Sequence, residues 1–317
     1  MVSSTCELMA LIIKSDFARD VIWREAFQFA SPELDCRSWQ APGDLSEIEY
    51  AFVWKPEKGS LRRFPNLKCI FSIGAGVDHL LGDVDLPEGV PVVRMVEPEL
   101  TRGMSEYVAL HVLRYHRDLP ALQQSQRARQ WNELITPTAP HRRVGIMGFG
   151  VLGQAAAEAL RVFGFDLACW SRTAKDFPGG ESFHGSDGLV SFLARTEILV
   201  CLLPLTPETE GILNRDLFAS MPRGAWLINA ARGGHQVEED ILEALQSGQL
   251  AGATLDVFET EPLPKDHVFW SHPRITVTAH IASVTQPRSA AVEVVANIVR
   301  IEAGEPPLNT VDMGAGY

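Results

Sequence analysis

Three glycines in the pattern Gly-x-Gly-x-x-Gly, namely Gly148, Gly150 and Gly153, lie between an apolar run and a stretch of strong helix formers. Residues 144–147 before them are typical of a buried strand, and residues 154–160 after them are typical of a helix. In such a turn Gly148 permits the sharp bend, Gly150 lets the backbone approach a pyrophosphate, and Gly153 lets the helix lie against the strand. Because the N–H groups at the start of the helix then face the phosphates, the motif predicts a dinucleotide-binding site.

A basic segment follows the next apolar run, where a dinucleotide fold contacts the adenine ribose. NAD-binding folds carry an acidic residue about twenty residues after the glycines. This chain instead has Ser171, Arg172, Thr173 and, slightly later, Lys175. Arg172 can pair with a 2′-phosphate and stack on adenine, and Ser171 and Thr173 can add hydroxyl donors, whereas a carboxylate would repel the phosphate. The segment therefore predicts NADP as cofactor, with NADPH preferred over NADH; the alternative is a solvent-facing basic loop.

Chargeable side chains follow three later apolar runs, where predicted strands end: Arg232, Glu261 and His280. Open α/β sheets bind ligands at the carboxyl ends of their strands. Taken singly, such a histidine is more often a core residue, such a glutamate loop surface and such an arginine an ion pair. Their occurrence together after a dinucleotide motif favours a catalytic site. Other histidines nearby lack such company and are predicted to be structural or solvent-facing: His235, His267 and His272.

A glycine loop in the first hundred residues offers a second site. Gly74, Ala75, Gly76 and Val77 follow an apolar run, and successive backbone N–H groups in such a turn can form a nest for a carboxylate. We expect Ala75, Gly76 and Val77 to hold an acid group alongside Arg232; the alternative is an ordinary strand-to-helix turn. Trp54 either lines this pocket and favours short substrates or belongs to the core.

Two series of alternating strands and helices position these residues. The first has predicted strands at residues 8–13, 50–54, 69–73 and 91–94, with a helix at 17–29. The second has predicted strands at residues 144–147, 166–170, 198–203, 225–229, 254–257 and 275–278. A helix at 101–119, closed by Pro120, bridges the two, and its apolar face is supplied by Val108, Leu110, Val112, Leu113 and Tyr115. A polar stretch at 123–129 follows it.

Alternation of this kind predicts an α/β fold with two doubly wound parallel sheets, and 317 residues exceed what one core usually serves. A last helix, from Pro287 to Gly304, lies beyond the final strand and is expected to pack back on the first domain. That domain is then discontinuous, comprising residues 1–99 and 286–317. Residues 100–285 form the dinucleotide-binding domain between them.

The order of these motifs resembles the D-isomer-specific 2-hydroxyacid dehydrogenase family over essentially the whole chain. Segments 51–54, 169–173, 203–209 and 311–317 contribute to the likeness. The resemblance implies a Rossmann coenzyme domain inserted in a flavodoxin-like substrate domain. It also implies NADPH-dependent reduction of short 2-keto acids, glyoxylate to glycolate and hydroxypyruvate to D-glycerate.

The resemblance assigns roles to individual side chains. His280 would donate a proton to the carbonyl oxygen, and Glu261 would orient its ring and favour its protonated form. Arg232 would fix the substrate carboxylate and polarise the ketone. Asp256 would accept from the nicotinamide carboxamide, and the further cofactor contacts would be Val151, Leu152, Leu203, Pro204 and Ala230. Where the family commonly has proline before the histidine, this chain has Ala279.

Composition restricts the partners. With 28 basic and 40 acidic residues the net charge is −12, so no positive field is available for nucleic acid or an anionic membrane. Neither a signal peptide nor a bilayer-spanning run is evident, which predicts a cytoplasmic protein. The five cysteines are scattered without metal-ligand spacing and are predicted to be buried, reduced thiols: Cys6, Cys36, Cys69, Cys169 and Cys201.

Family relatives are commonly dimers, which implies a homodimer built around residues 101–119 and the Trp131 region. Two other functions stay open. One is reduction of another short 2-keto acid. The other is a non-catalytic dinucleotide sensor, a use to which this fold is also put. A methyltransferase can also show a glycine-rich turn, but it would not be expected to supply Arg232, Glu261 and His280 at later strand ends.

Overall fold

Short apolar runs bounded by turns form two sheets in a computed structural model that describes residues 9–15 and 20–315. In both sheets, each neighbouring pair of the strands named below runs parallel. The chain divides into two units. The first comprises Met1–Leu100 and Val284–Tyr317, and the second comprises Thr101–Ser283. These limits lie one and two residues from those predicted for the discontinuous domain.

The first unit holds a five-stranded sheet in the order β2-β1-β3-β4-β5. Its strands are β1 (Ala10–Lys14), β2 (Asp35–Ser38), β3 (Ile48–Val53), β4 (Cys69–Ser72) and β5 (Val92–Val93). This order is that of flavodoxin-like folds.

The second unit holds a seven-stranded sheet in the order β12-β11-β10-β9-β6-β7-β8. Its strands are β6 (Arg143–Met147), β7 (Asp166–Ser171), β8 (Glu181–His184), β9 (Ile198–Cys201), β10 (Ala225–Asn229), β11 (Leu250–Leu255) and β12 (Ile275–Val277). Apart from the added strand β12, this is the Rossmann order, whose direction reverses between β6 and β9. The predicted fold class is confirmed.

Helices connect the strands. They are α1 (Asp20–Ala30), α2 (Asp78–Leu81), α3 (Pro98–His116), α4 (Leu119–Arg127), α5 (Val151–Arg161), α6 (Gly185–Arg195), α7 (Arg215–Ala219), α8 (Glu238–Ser247) and α9 (Pro287–Glu302). As predicted, the last helix returns to the first unit, where α9 packs against α1.

Glu97 fixes the start of α9 within the first unit. Its carboxylate is buried and accepts from the backbone N–H of Glu99 at 2.7 Å, of Leu100 at 2.8 Å and of Gln286 at 3.1 Å. It also accepts from the Ser289 hydroxyl at 2.6 Å. One buried carboxylate thus caps the first turns of both α3 and α9, a contact that no local pattern indicated.

Strands β2 and β8 were not predicted from the sequence, and each lies at the edge of its sheet. The sequences of β2, Asp-Cys-Arg-Ser, and of β8, Glu-Ser-Phe-His, carry no run of buried apolar residues. An edge strand pairs on one side only and can stay half-solvated, so the apolar run that indicates a central strand is missing.

The predicted linker after α3 was wrong in part. Pro120 does not simply end a helix; it lies in the first turn of α4, where its missing N–H costs no hydrogen bond. Asp118, at φ +49°, makes the break between the two helices. Leu110, predicted on the buried face of α3, is 62% exposed.

Several predictions fall outside the described residues. They are Cys6, the start of the first predicted strand at Leu8, residues 17–19 of the predicted helix 17–29, and the last two residues of the tail segment. Of the cysteines predicted to be buried, Cys69, Cys169 and Cys201 are buried, whereas Cys36 is only half-buried. Burial raises the pKa of the Cys69 and Cys201 thiols to about 12, so both stay protonated.

Among residues 9–15 and 20–315, no group of three or more metal-ligating side chains occurs. In the same ranges, no helix combines the length and apolar character that crossing a bilayer requires.

Candidate active site

The glycine turn joins β6 to α5 in the geometry that its sequence predicts. Gly148 has φ +96°, and a Cβ there would lie 2.6 Å from the carbonyl of Leu202. A Cβ at Gly153 would lie 2.0 Å from the carbonyl oxygen of Gly148, so only glycine allows the helix to approach the turn. Gly150 precedes the helix, and no heavy atom lies within 4 Å of the place a Cβ would take. A tight turn with open space before a helix N-terminus fits the phosphates of a dinucleotide.

The loop after β7 is exposed and basic. Arg172, Thr173 and Lys175 are exposed, whereas Ser171 is buried and donates its hydroxyl to the carbonyl of Thr173 at 2.9 Å. Ser171 therefore shapes the loop, and its expected role as a hydroxyl donor to the cofactor stays a prediction. Hydrogen bonds from Thr206 and from its own N–H, with a further contribution from the charge of Arg172, lower the pKa of Glu208.

Val151 and Leu152 open α5, next to the turn. Leu203 and Pro204 follow β9, and Ala230 follows β10. These predicted cofactor residues all lie at carboxyl ends of central strands or directly after them, where this fold binds its ligands.

His280 and Glu261 form a pair. His280 Nδ1 lies 2.9 Å from Glu261 Oε2, and the two side chains are 33% and 23% exposed. The other carboxylate oxygen of Glu261 accepts from the N–H of Phe258 at 3.1 Å. Glu261 is thereby fixed at both oxygens, and the Nε2 atom of His280 is left to exchange a proton with a ligand.

The backbone turn that carries His280 is held by Asp256. His280 has φ +53°, a left-handed conformation that costs energy for a residue with a side chain. Its N–H donates to the carbonyl of Asp256 at 2.7 Å. The Asp256 carboxylate, in a residue 1% exposed, accepts from the N–H of Ile281 at 2.9 Å, from the N–H of Ala282 at 2.8 Å and from the Thr278 hydroxyl. The observed contacts of the Asp256 carboxylate are with the turn that carries His280. Its expected hydrogen bond to the nicotinamide carboxamide stays a prediction.

Arg232 lies in the loop after β10 and is half-buried. Asn229 closes this loop: its Nδ2 donates to the carbonyl of Arg232 at 3.1 Å, and its Oδ1 accepts from Ala231 at 3.0 Å. The guanidinium donates to the carbonyl of Ala231 at 2.7 Å.

His235 belongs to the same loop, and its part in the site was missed by the sequence analysis. Its ring is fully buried, and Nδ1 accepts from the N–H of Arg232 at 3.2 Å. Nε2 lies 3.2 Å from the carbonyl of Pro204, and Nδ1 also lies 3.1 Å from the carbonyl of Arg232. We assign the proton to Nε2, because that tautomer pairs both the Pro204 carbonyl and the N–H of Arg232. His235 thus links the Arg232 loop to the loop after β9.

Neighbouring strands bring these loops together. A Cβ at Gly233 would lie 1.9 Å from the carbonyl carbon of Phe258, and Gln236 donates to the carbonyl of Val257 at 3.0 Å. The Arg232 loop therefore packs against the segment that carries Glu261, and His280 follows the next strand of the sheet. Arg232, Glu261 and His280 thus lie on loops that follow the carboxyl ends of three adjacent strands, β10, β11 and β12.

The Gly74 loop lies in the first unit. A Cβ at Gly74 would lie 2.7 Å from the ring of Trp54, so the loop packs directly on that indole. Trp54 is half-buried and also contacts His79, with ring centroids 4.5 Å apart. Ala75 and Gly76 are half-buried, and the side chain of Val77 is buried at the start of α2. Trp54 therefore lies against the Gly74 loop and is only half-buried. This position agrees better with the interpretation that Trp54 lines the loop than with a place in the core.

Residues 109–282 match the NAD binding domain of the D-isomer specific 2-hydroxyacid dehydrogenase family. The chain belongs to the D-isomer-specific 2-hydroxyacid dehydrogenase family, and the predicted family and enzyme class are confirmed.

Relatives align over nearly the whole chain. The glyoxylate/hydroxypyruvate reductase A of Serratia proteamaculans is 44% identical over 314 residues, which are 98% of this chain and 100% of the relative. A D-isomer specific 2-hydroxyacid dehydrogenase from Xanthobacter autotrophicus, solved with NADPH and MES, is 47% identical with a TM-score of 0.93, covering 98% of this chain and 100% of that one. An NADPH-dependent glyoxylate/hydroxypyruvate reductase from Sinorhizobium meliloti, solved with NADP and sulfate, is 43% identical with a TM-score of 0.91 and the same coverage.

Proposed function

We propose that this chain uses NADPH to reduce short 2-keto acids, glyoxylate to glycolate and hydroxypyruvate to D-glycerate. The observation that carries the proposal is the His280–Glu261 pair, 2.9 Å apart and partly exposed, in a unit that also contains the dinucleotide turn. The relatives named above, two of them glyoxylate/hydroxypyruvate reductases, support the substrate class.

Reduction of a ketone needs a hydride at the carbon and a proton at the oxygen. A bound nicotinamide dinucleotide supplies the hydride. We assign the proton to Nε2 of His280, because Nδ1 is engaged by Glu261. The carboxylate orients the ring and favours the charged imidazolium that donates; after the transfer, solvent returns the proton to the ring.

Arg232 is assigned to the substrate. A permanently charged guanidinium presents a fork of donors that can hold a carboxylate and polarise the neighbouring carbonyl oxygen. Its backbone is fixed by Asn229 and His235, which favours one approach of the side chain. We also assign the N–H groups of the Ala75 to Val77 loop to carboxylate binding.

The preference for NADPH rests on the loop after β7. Arg172 and Lys175 are exposed there, and the acidic residue that would repel a 2′-phosphate is missing from residues 171–175. Relatives solved with NADPH or NADP support the same choice.

The experiment is a set of initial rates with glyoxylate, hydroxypyruvate and pyruvate, each with NADPH and with NADH. We expect loss of the reduced-nicotinamide absorbance with NADPH and glyoxylate or hydroxypyruvate. His280→Ala is the control for non-enzymatic oxidation. Turnover with pyruvate alone would favour reduction of another short 2-keto acid, and binding of NADPH without turnover of any of the three would favour the dinucleotide sensor.

We further propose a homodimer formed through α3 and the segment after α4. Trp131 is 93% exposed, Ile135 is fully exposed, and Leu110 projects from α3. Exposed apolar side chains on α3 and on the segment after α4 support association through this part of the chain. Light scattering should give twice the chain mass, and the Trp131→Asp, Ile135→Asp double variant should give a monomer. The cytoplasmic location stays a prediction.

A further inference from the structure

A chain of hydrogen bonds runs from helix α3 to the turn that carries His280. The Tyr107 hydroxyl lies 2.8 Å from Thr278 Oγ1, and Thr278 donates to the carboxylate of Asp256. A threonine hydroxyl has one proton, and Thr278 gives it to Asp256, so Tyr107 must be the donor to Thr278. The direction of the chain is therefore fixed from Tyr107 to Asp256.

The far end of this chain is the backbone beyond His280. The Asp256 carboxylate accepts from the N–H groups of Ile281 and Ala282, and its carbonyl accepts from the N–H of His280. Three consecutive N–H groups thus end on one residue. Because Asp256 and Tyr107 are buried, water does not readily replace a lost partner.

The turn needs such a restraint. His280 has φ +53°, and a left-handed residue with a side chain persists only where its surroundings impose that conformation. Ala279 before it is exposed and contributes no ring constraint of its own. Asp256 therefore holds the backbone from which the imidazole projects, and Thr278 is one of the three donors that hold the Asp256 carboxylate.

We propose that Tyr107 and Thr278 are positioning residues for His280, acting through Asp256. The inference rests on the proposed function, in which His280 donates the proton. Without the Thr278 hydroxyl the carboxylate loses a fixed donor and can rotate. The N–H groups of Ile281 and Ala282 then lose their aligned acceptor, and the His280–Glu261 pair loses its fixed geometry.

The same helix provides a matched control. Tyr115, two turns after Tyr107, hydrogen-bonds to Oγ1 of Thr254 at 2.5 Å, and both residues are buried. This pair has the same chemistry and joins the same helix to the same sheet. Thr254 also contacts Nδ1 of His111 at 3.2 Å, and the His111 ring packs on that of Tyr107 with centroids 4.4 Å apart. Tyr115→Phe leaves both Thr254 and His111 in place and is therefore the cleaner of the two controls.

The experiment compares Tyr107→Phe and Thr278→Val with Tyr115→Phe and Thr254→Val. We expect the first two to lower kcat about 10-fold, less than the roughly 10²-fold cost of a 1 Å misplacement. KM for glyoxylate should change by less than about two-fold, since neither residue is assigned to the substrate. The Kd for NADPH is measured alongside, because Asp256 is also predicted to contact the nicotinamide carboxamide. Thr278→Ser, which keeps the hydroxyl, should restore kcat.

A second measurement does not depend on turnover. Amide hydrogen exchange at Ile281 and Ala282 should accelerate about 3- to 10-fold in Tyr107→Phe and Thr278→Val, as expected for one lost hydrogen bond. The control pair should leave these two amides unchanged. Thermal unfolding shows whether each variant is folded. If Thr278→Val does not fold, the exchange rates and kcat of Tyr107→Phe test the proposal alone.

Unchanged exchange and unchanged kcat in a folded Tyr107→Phe would overturn the proposal, as would equal losses in the control pair. An inactive wild-type protein would overturn the proposed function instead, while the exchange contrast would still test whether the chain holds the turn.

Discussion

Replacing Glu261 by glutamine should separate the charge of the acid–base pair from its shape. Both carboxylate oxygens accept, one from His280 Nδ1 at 2.9 Å and one from the N–H of Phe258 at 3.1 Å. Glutamine has one accepting oxygen and one NH₂ donor. The N–H of Phe258 takes the oxygen, so the NH₂ group faces Nδ1. A protonated imidazole would then direct its Nδ1–H at another donor, and the proton-donating form is disfavoured.

The size of the effect follows from the exposure of the pair. A hydrogen bond between charged groups contributes about 1.5–3 kcal/mol. The side chains of His280 and Glu261 are 33% and 23% exposed, so solvent screening places this pair near the lower end. A loss of about 1.5–2 kcal/mol lowers kcat roughly 10- to 30-fold. His280→Ala deletes the proton donor itself and should cost about 10²–10⁴-fold.

The assay is kcat at saturating NADPH and glyoxylate, with the Kd for NADPH measured by fluorescence titration. Glu259→Gln is the matched control, because Glu259 is exposed two residues earlier and its loss removes the same charge from the same loop. The reasoning is refuted if Glu261→Gln keeps the wild-type kcat. It is refuted equally if Glu259→Gln loses as much.

Three further outcomes are expected. Arg172→Ala should weaken NADPH binding by about 1.5–3 kcal/mol and leave NADH nearly unchanged, so equal losses in a fluorescence titration would contradict the 2′-phosphate contact. Burial and the charge of Arg114 lower the pKa of His111 to about 4. Between pH 6.5 and 4 only the unfolded chain binds this proton, so stability falls by about 1.4 kcal/mol per pH unit as the pH drops. The free energy of unfolding of His111→Gln, measured by urea unfolding at several pH values, should depend less steeply on pH between 6.5 and 4. His235→Leu should raise KM for glyoxylate about 10-fold by leaving the N–H of Arg232 without its acceptor, whereas His235→Asn, which keeps an acceptor, should raise it less.

The glycine turn was predictable because its main constraint is local. The helix contact at Gly153 is with Gly148, five positions earlier, so the spacing of the glycines indicates it. The close approach of Gly148 to Leu202 depends instead on β9 lying beside β6. The central strands were predictable for a similar reason, since burial on both faces selects continuous apolar runs. Edge strands β2 and β8 have no such requirement, and their polar sequences gave no sign of pairing.

The residues that orient the site were not predictable in the same way. Tyr107 and Thr278 are 171 positions apart, and their contact depends on where α3 crosses the sheet. His235 is three positions from Arg232, but its second contact, to Pro204, is 31 positions away. A pattern of residue types indicates side chains that react with a ligand. It does not indicate side chains that position another residue through a contact distant in sequence.

Chain order nevertheless predicts which reacting groups become neighbours. In one half of a doubly wound sheet, right-handed crossovers lay successive strands side by side, moving outward from the point where the order reverses. Here β10, β11 and β12 are consecutive in the chain and adjacent in the sheet, and they deliver Arg232, Glu261 and His280 in that order. The motif order along the sequence is therefore also a spatial order. What it leaves undetermined is the direction of each side chain, and for His280 that direction depends on a left-handed backbone held by Asp256.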